Sequence, residues 1–260
     1  MDVNNQSQAG VGLLAKAFQL LDLFQIDQPN WSQAELIEQT GMSRSTASRL
    51  VRYMVDKGYL ALMPGTGRYS LGVAAINLGE RAKAGFDLKG YCQPAMEALS
   101  QITSETIVLT AYDPVNKVAI CIDQIESAKG GLRVFEKIGA TFPLHAGAAP
   151  RAILALLPEN EQQAYLEGKL EKFTPNTLTT PKEIREDLQK IKSKGFCHSQ
   201  EETYLGAAGM AAAFWGGGGY PLGSIAIAYP LQNMDEADQV RIGDEMAKIA
   251  NELSATLKSS

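Results

Sequence analysis

Residues 32–71 read SQAELIEQTGMSRSTASRLVRYMVDKGYLALMPGTGRYSL, from Ser32 to Leu71. The order is helix, tight turn, helix and short two-stranded hairpin. Ser32-Gln33-Ala34-Glu35 is a capping box that opens the first helix, which carries Leu36 and Ile37. Gly41 closes it, and Ser43 caps the next helix. A short turn containing glycine between two helices is the helix-turn-helix signature. On the second helix Ala47, Leu50, Val51, Met54 and Val55 share the helical period and form an inward face. Ser45, Ser48, Arg49 and Arg52 share it on the other side. A merely solvated face mixes both signs, as charge pairing favours. Hydroxyls and guanidiniums suit phosphates and guanine edges instead. Tyr59–Leu62 and Arg68–Leu71 read as strands around a Gly-rich turn that adds the cation Arg68. The stretch therefore predicts a winged helix-turn-helix.

The surrounding chain has 260 residues, room for two domains at ~150 residues each. An apolar share of 45% and a charged share of 20% are ordinary for a globular protein. There is no run of ~18 apolar residues, so no membrane span is expected. The opening MDVNNQSQAG lacks the basic and apolar regions of a signal peptide and reads as a disordered lead-in, residues 1–10. Cys92, Cys121 and Cys197 fit neither a disulfide framework nor zinc spacing, which points to a reducing cytoplasm. Net charge is −5, yet Arg44, Arg49, Arg52, Lys57 and Arg68 face a single acid, Asp56, within residues 42–70. A local positive patch on an acidic body fits a protein that touches DNA with one small module.

Residues 11–25 form a first helix, broken by Pro29. The DNA-binding domain spans residues 11–71. Residues 72–86 read as a semi-rigid linker helix, and residues 87–260 as a second domain. In that domain a helix runs from Asp87 to about Thr103, followed by strands at Thr106–Ala111, Val118–Ile125 and Leu132–Lys137. Helices are expected at Ala148–Leu157, Glu159–Gly168, from Thr180-Pro181 to Lys194, and at Asp235–Leu257. Met210–Phe214 and Leu222–Tyr229 read as strands joined through Gly216–Gly219, an exposed turn rather than a phosphate cradle, since a strand and not a helix follows it. Mixed order with antiparallel hairpins indicates an α+β domain, so the chain as a whole is mixed α/β.

Several segments in this order resemble hallmarks of the IclR family of bacterial transcriptional regulators over roughly residues 11–257. They are GRYSLG at Gly67–Gly72, IGATFPLHA at Ile138–Ala146, Phe173–Thr177 followed by Thr180-Pro181, and Gly195-Phe196 followed by Glu201-Glu202 and Gly206. The resemblance implies a C-terminal effector domain similar to GAF folds, with an antiparallel sheet flanked by helices. It implies a small-molecule effector, often an organic or aromatic acid. It also implies a homodimer or homotetramer on a palindromic double-stranded DNA operator, acting as repressor or activator, commonly of a catabolic operon. Ser43, Arg44, Ser45, Thr46, Ser48, Arg49 and Arg52 are the expected groove and phosphate contacts, with Arg68 of the wing on the backbone or minor groove.

In the family the effector lies between the sheet and the helix after the P-L-H segment. Here that places an anion near Gly147, Ala148 and Ala149, where unpaired N–H groups at a helix start attract a carboxylate. Walls are expected from Leu132, Val134 and Phe142 and from the later strands. Relatives that bind small polar acids carry polar groups at the positions of Ser199, Gly209, Ala226 and Ala228; this chain has mostly small apolar residues there and at Ala207. A buried polar effector would then lack partners, at ~1–3 kcal/mol for each unmade bond. A bulkier aromatic carboxylate is the expectation; the alternative is that Trp215, Tyr204 and Phe214 refill the space. Pro150 replaces the usual glycine and removes one amide from the anion site.

An enzyme needs a constellation, and the sequence offers none. His145 and His198 are the only histidines. Cys197 and His198 are adjacent, so on a strand they point to opposite faces. His145 reads as a loop-orienting residue, and Glu201-Glu202 as structural or solvated acids. No metal site and no cofactor is expected. The competing readings are a helical domain that binds another protein, a sensor that does not touch DNA, and a small-molecule hydrolase.

Overall fold

The computed structural model describes residues 3–85, 87–129, 136–216 and 218–258. The chain forms two compact units, Met1–Asp87 and Leu88–Ser260.

In the N-terminal unit the elements are α1 (Val3–Leu21), β1 (Trp31–Ser32), α2 (Gln33–Thr40), α3 (Arg44–Asp56), β2 (Leu60–Leu62), β3 (Arg68–Leu71) and α4 (Val73–Gly85). The capping box is present: Ser32 accepts from the Glu35 N–H, and Glu35 accepts from the Ser32 N–H at 2.7 Å. Gly41 ends α2 with φ +65°, a left-handed turn that glycine takes without steric cost. One boundary differs from expectation: helix α1 stops at Leu21 rather than residue 25. The wing gains a third strand, β1, and its order is β1-β3-β2, all antiparallel. Two residues carry too little pattern to announce a strand; Trp31 is held because its side chain is buried and its indole N–H donates to the Leu23 carbonyl at 2.8 Å. Leu20, Leu36, Ala47, Leu50, Val51, Met54 and Leu60 form the core of this unit.

The C-terminal unit contains α5 (Leu88–Thr103), β4 (Thr106–Asp113), β5 (Val118–Ile125), β6 (Thr141–Pro143), α6 (Ala148–Leu156), α7 (Glu159–Leu166), α8 (Pro181–Lys194), β7 (Cys197–Gln200), β8 (Ala207–Trp215), β9 (Pro221–Pro230) and α9 (Glu236–Lys258). Six antiparallel strands lie in the order β6-β5-β4-β9-β8-β7. Strand alternation divides the core into two layers. Ile107, Leu109, Met210, Phe214, Ile225 and Ile227 face α5 and α9, while Val108, Cys121, Cys197, Ala211 and Ala226 face α6 and α8. At Gly223 the sheet closes tightly: a Cβ there would sit 1.9 Å from the Thr110 carbonyl oxygen, so β9 needs glycine to pair with β4. The strand expected at Leu132–Lys137 falls mainly outside the described residues; its last two, Glu136 and Lys137, are not in a strand, and the edge position is taken by β6. Among the described residues no helix is long and apolar enough to cross a membrane.

Candidate functional site

The first candidate surface is the outer face of α3. Ala47, Leu50, Val51 and Met54 are buried, which turns Ser45, Arg49 and Arg52 outward, with Ser48 half-buried beside them. Ser43 caps the helix, accepting from the Thr46 N–H at 3.3 Å and donating its own O–H to Thr46 Oγ1 at 2.9 Å. Ser43 and Ser45 are also within hydrogen-bond reach, at 3.2 Å. Arg44, Arg49 and Arg52 are exposed, and none has a hydrogen bond or ion pair among the described residues. Three unpaired guanidiniums on one short helix repel one another unless a polyanion screens them. Asp56, in the last turn, is the one acid that shares this side.

Arg68 differs from the other expected contacts. Its Nη2 donates to the Asn30 carbonyl at 2.9 Å and pairs with Glu35 at 2.7 Å. The same carboxylate closes the capping box, so Arg68 ties the wing to the start of α2. Its charge is already matched within the unit, unlike those on α3.

The second candidate site is a cavity of about 70 Å³ between the sheet and the start of α6. Phe142, Gly147, Ala148, Ala149, Ser199, Ala207, Gly209, Ala226 and Ala228, all named from the sequence, line it together. Leu132 and Val134 lie outside the described residues. The register explains the convergence: Ser199 pairs with Gly209 and Gly209 with Ala228 across β7, β8 and β9. Of the three side chains weighed as fillers, Tyr204 lines the cavity, whereas Phe214 is buried in the opposite layer. The space corresponds to about two waters at ~30 Å³ each, so it is small despite its alanine walls.

Sequence reasoning missed what shares the helix start. Gly147, at φ +87°, caps α6 without a side chain, and its N–H donates to Glu202. Glu202 in turn holds Arg151, the largest fully buried side chain, through both Nη atoms, with Nη2 at 2.7 Å. Arg151 Nε reaches Asp187 at 2.6 Å, and Nη1 donates to the His145 carbonyl at 3.3 Å. Glu202 is thus structural, as read, but buried rather than solvated. It already occupies one of the amides expected to hold a ligand. Pro150 supplies none, which leaves the N–H groups of Ala148 and Ala149 without a partner among the described residues. No periodic signal marks Arg151 in the sequence: it interrupts an otherwise apolar helix, and that interruption was the only available hint.

Glu136 also lines the cavity, and burial pushes its carboxyl up to about 7. His145 has both ring nitrogens engaged, with Nδ1 2.9 Å from the Tyr165 hydroxyl and Nε2 2.9 Å from the Glu171 carbonyl. A carbonyl only accepts, so Nε2 carries the proton and Nδ1 receives the Tyr165 O–H. Burial lowers its pKa, consistent with a neutral, loop-orienting ring. Cys197 is buried, and burial pushes its thiol up to about 12, so it is no thiolate nucleophile.

A winged helix with an unpaired cationic face and a sheet domain with a small pocket are the two halves of a DNA-binding regulator with an effector domain. Residues 81–255 match the family described as bacterial transcriptional regulator IclR C-terminal, and residues 13–62 match the IclR helix-turn-helix domain. The chain belongs to the IclR family of bacterial transcriptional regulators. It is 27% identical to the transcriptional repressor IclR of Escherichia coli, over 93% of this chain and 88% of that protein. It is 31% identical to the HTH-type transcriptional regulator Rv1719 of Mycobacterium tuberculosis, over 80% of this chain and 78% of that protein. Among solved structures, an IclR transcriptional regulator from Alicyclobacillus acidocaldarius superposes with a TM-score of 0.81 at 24% identity, covering 95% of this chain and 98% of its own. An IclR homolog from Microbacterium hydrocarbonoxydans, complexed with 4-hydroxybenzoate, gives 0.79 at 21% identity, covering 95% and 100%. These relatives are named as regulators and repressors, not as enzymes.

Proposed function

We propose that this regulator acts in the cytoplasm as a homodimer or homotetramer. On this reading it binds a palindromic operator of a catabolic operon and changes its hold on that operator when an organic acid enters the C-terminal pocket. The observation that carries the DNA half is the outward face of α3, where Arg44, Arg49 and Arg52 stand unpaired beside Ser45 and Ser48. Ser43, Arg44, Ser45, Thr46, Ser48, Arg49 and Arg52 are the contacts assigned to the groove and its phosphates. Arg68 keeps a contact role only in so far as its second Nη reaches a phosphate while the first stays on Glu35. Residues 72–86, mostly α4, are the segment assigned to couple the two units; an effector shifts operator affinity only by favouring one arrangement of the protein over another.

For the effector, the Ala148 and Ala149 N–H groups at the start of α6 support a carboxylate. The present volume favours an acid of a few heavy atoms. The aromatic reading rests on the small walls at Ala207, Gly209, Ala226 and Ala228 and on the neighbour that binds 4-hydroxybenzoate. A ring enters only if the exposed Tyr204 swings out, so the two readings differ in what must move.

The test is a gel-shift titration of the full chain on the DNA upstream of its own gene, repeated across salt. Each phosphate contact adds about one to the slope of log K against log salt. The same titration with pyruvate, glyoxylate and benzoate separates the effector readings. A slope near zero, or affinity equal to that for random DNA, sinks the DNA half; tighter binding of benzoate than of the short acids selects the aromatic one.

A further inference from the structure

We infer that the pocket takes a small acid that also bears a hydroxyl or ammonium donor, and that Glu136 selects for that donor. The inference rests on the reading of this cavity as the effector site.

The lining is polar in a specific way. Its charged side chains among the described residues are Glu136 and Glu202, both acids. Glu202 is spoken for by Arg151 and the Gly147 N–H. Glu136 is not: only its backbone N–H is engaged, by Gln124, and no hydrogen bond or cation meets its carboxyl among the described residues. Glu136 is half-buried and lines the cavity, so its carboxyl keeps only part of the solvation that open solvent would supply. Burial raises the Glu136 carboxyl, and no charge among the described residues contributes to that rise.

A second polar group points the same way. Ser199 is 7% exposed, and its Oγ has no partner among the described residues. The hydroxyl lies 3.7 Å from where a Gly209 Cβ would stand, and Ala148 Cβ lies 3.4 Å from the same point. Ser199 therefore flanks the start of α6, where its O–H donates to a ligand oxygen alongside the Ala148 and Ala149 amides. One end of the cavity offers donors to an anion, and Glu136 offers an acceptor. A bare acid satisfies the first and leaves the second unmade; a hydroxy or amino acid of the same size satisfies both.

The experiment is calorimetry on the full chain with propionate, lactate, alanine, 3-hydroxypropionate, β-alanine and pyruvate. These probes share three carbons and a carboxylate and vary the donor. The expected result is that at least one donor-bearing acid binds about tenfold more tightly than propionate, the scale of one hydrogen bond to a charged group. Pyruvate, which brings only an acceptor, stays with propionate. Glu136→Leu removes the advantage while propionate binding persists, which shows that the pocket is intact. Glu136→Gln keeps the preference for a hydroxyl and loses that for an ammonium, which tells the two donors apart. Equal binding of all six acids, tightest binding of pyruvate, or a preference that survives Glu136→Leu overturns the role of Glu136 and leaves the effector reading standing. No binding by any of the six overturns the inference, and no binding of benzoate in the same calorimeter overturns the effector reading as well.

Discussion

Arg151 shows how much a single residue decides in this protein. Its guanidinium is 1% exposed and is matched by Glu202 and Asp187, with the His145 carbonyl taking a further N–H. A buried ion pair adds little over an apolar replacement of the whole set, but removing one partner strands the others. Arg151→Met is therefore expected to destabilise the C-terminal unit by ~3–5 kcal/mol in urea unfolding. It also frees Glu202 beside the Gly147 N–H, so on the proposed function the effector's influence on operator affinity is expected to be lost even at temperatures where the variant stays folded. Glu136 gives a prediction with the opposite sign of pH dependence from an ordinary paired acid. Burial holds its folded-state carboxyl near 7 against the usual 4.5, so between those values the folded chain binds more protons than the unfolded one. Stability then falls as pH rises from about 4.5 to about 7 and levels off above it. Cys121 and Tyr204, the nearby groups that feel its charge, are both pushed up by burial and away from that window. Thermal melts of the wild type and Glu136→Gln across this range check it: the decline belongs to the wild type and flattens in the variant. An equal decline in both proteins assigns it elsewhere.

At the scale of elements, α3 and the wing part company although both carry arginine. Arg49→Ala and Arg52→Ala are expected to weaken operator binding and each to lower the salt slope by about one, with effector binding unchanged. Arg68→Ala is expected to act first on stability, through the lost tie to Glu35 and the Asn30 carbonyl. That pair is more than a third exposed and screened by solvent, so the cost is small. Its effect on the salt slope is smaller than that of either α3 variant; a larger one would return Arg68 to the DNA contacts. The same elements show what the sequence carries. Ser32, Glu35, Gly41 and Ser43 announce their caps locally, because capping depends on residues within one turn. The two faces of α3 follow from period alone. The cavity was traceable only in part: the family resemblance marked the small residues at 207, 209, 226 and 228 as its walls, and the register shows that they meet on two neighbouring strands. Apart from Tyr204, weighed as a filler, what closes it was not traceable. Glu136 and Tyr204 reach the site from loops, Glu202 is fixed by an arginine fifty-one positions earlier in the chain, and the order β6-β5-β4-β9-β8-β7 depends on long-range pairing that no local pattern encodes.

For the whole molecule the unanswered surface is in the N-terminal unit. Leu14 and Phe18 of α1 are 56% and 57% exposed, and together with Leu50 and Tyr53 of α3 and Leu78 of α4 they line an apolar groove of about 940 Å³. Arg49 and Arg52 stand on its rim. An apolar surface of this kind is costly to leave in water, and the palindromic operator proposed above would make a second copy of the chain its partner. Two-fold symmetry then presents two α3 helices to half-sites about one helical turn, or a multiple, apart. Phe18→Asp places a charge in this groove without touching the inward face of α3, so the unit keeps its core. The expected outcome is a shift towards monomer in sedimentation or light scattering at micromolar protein. Operator affinity falls with it, because each half-site is then bound alone, and the slope of log K against log salt drops to roughly half. Effector binding, which belongs to the C-terminal unit, stays as in the wild type. If the variant keeps both its mass and its operator affinity, the groove is not where the copies meet. If it keeps its mass and loses only affinity, the assembly is held elsewhere and the groove serves the placement of α3.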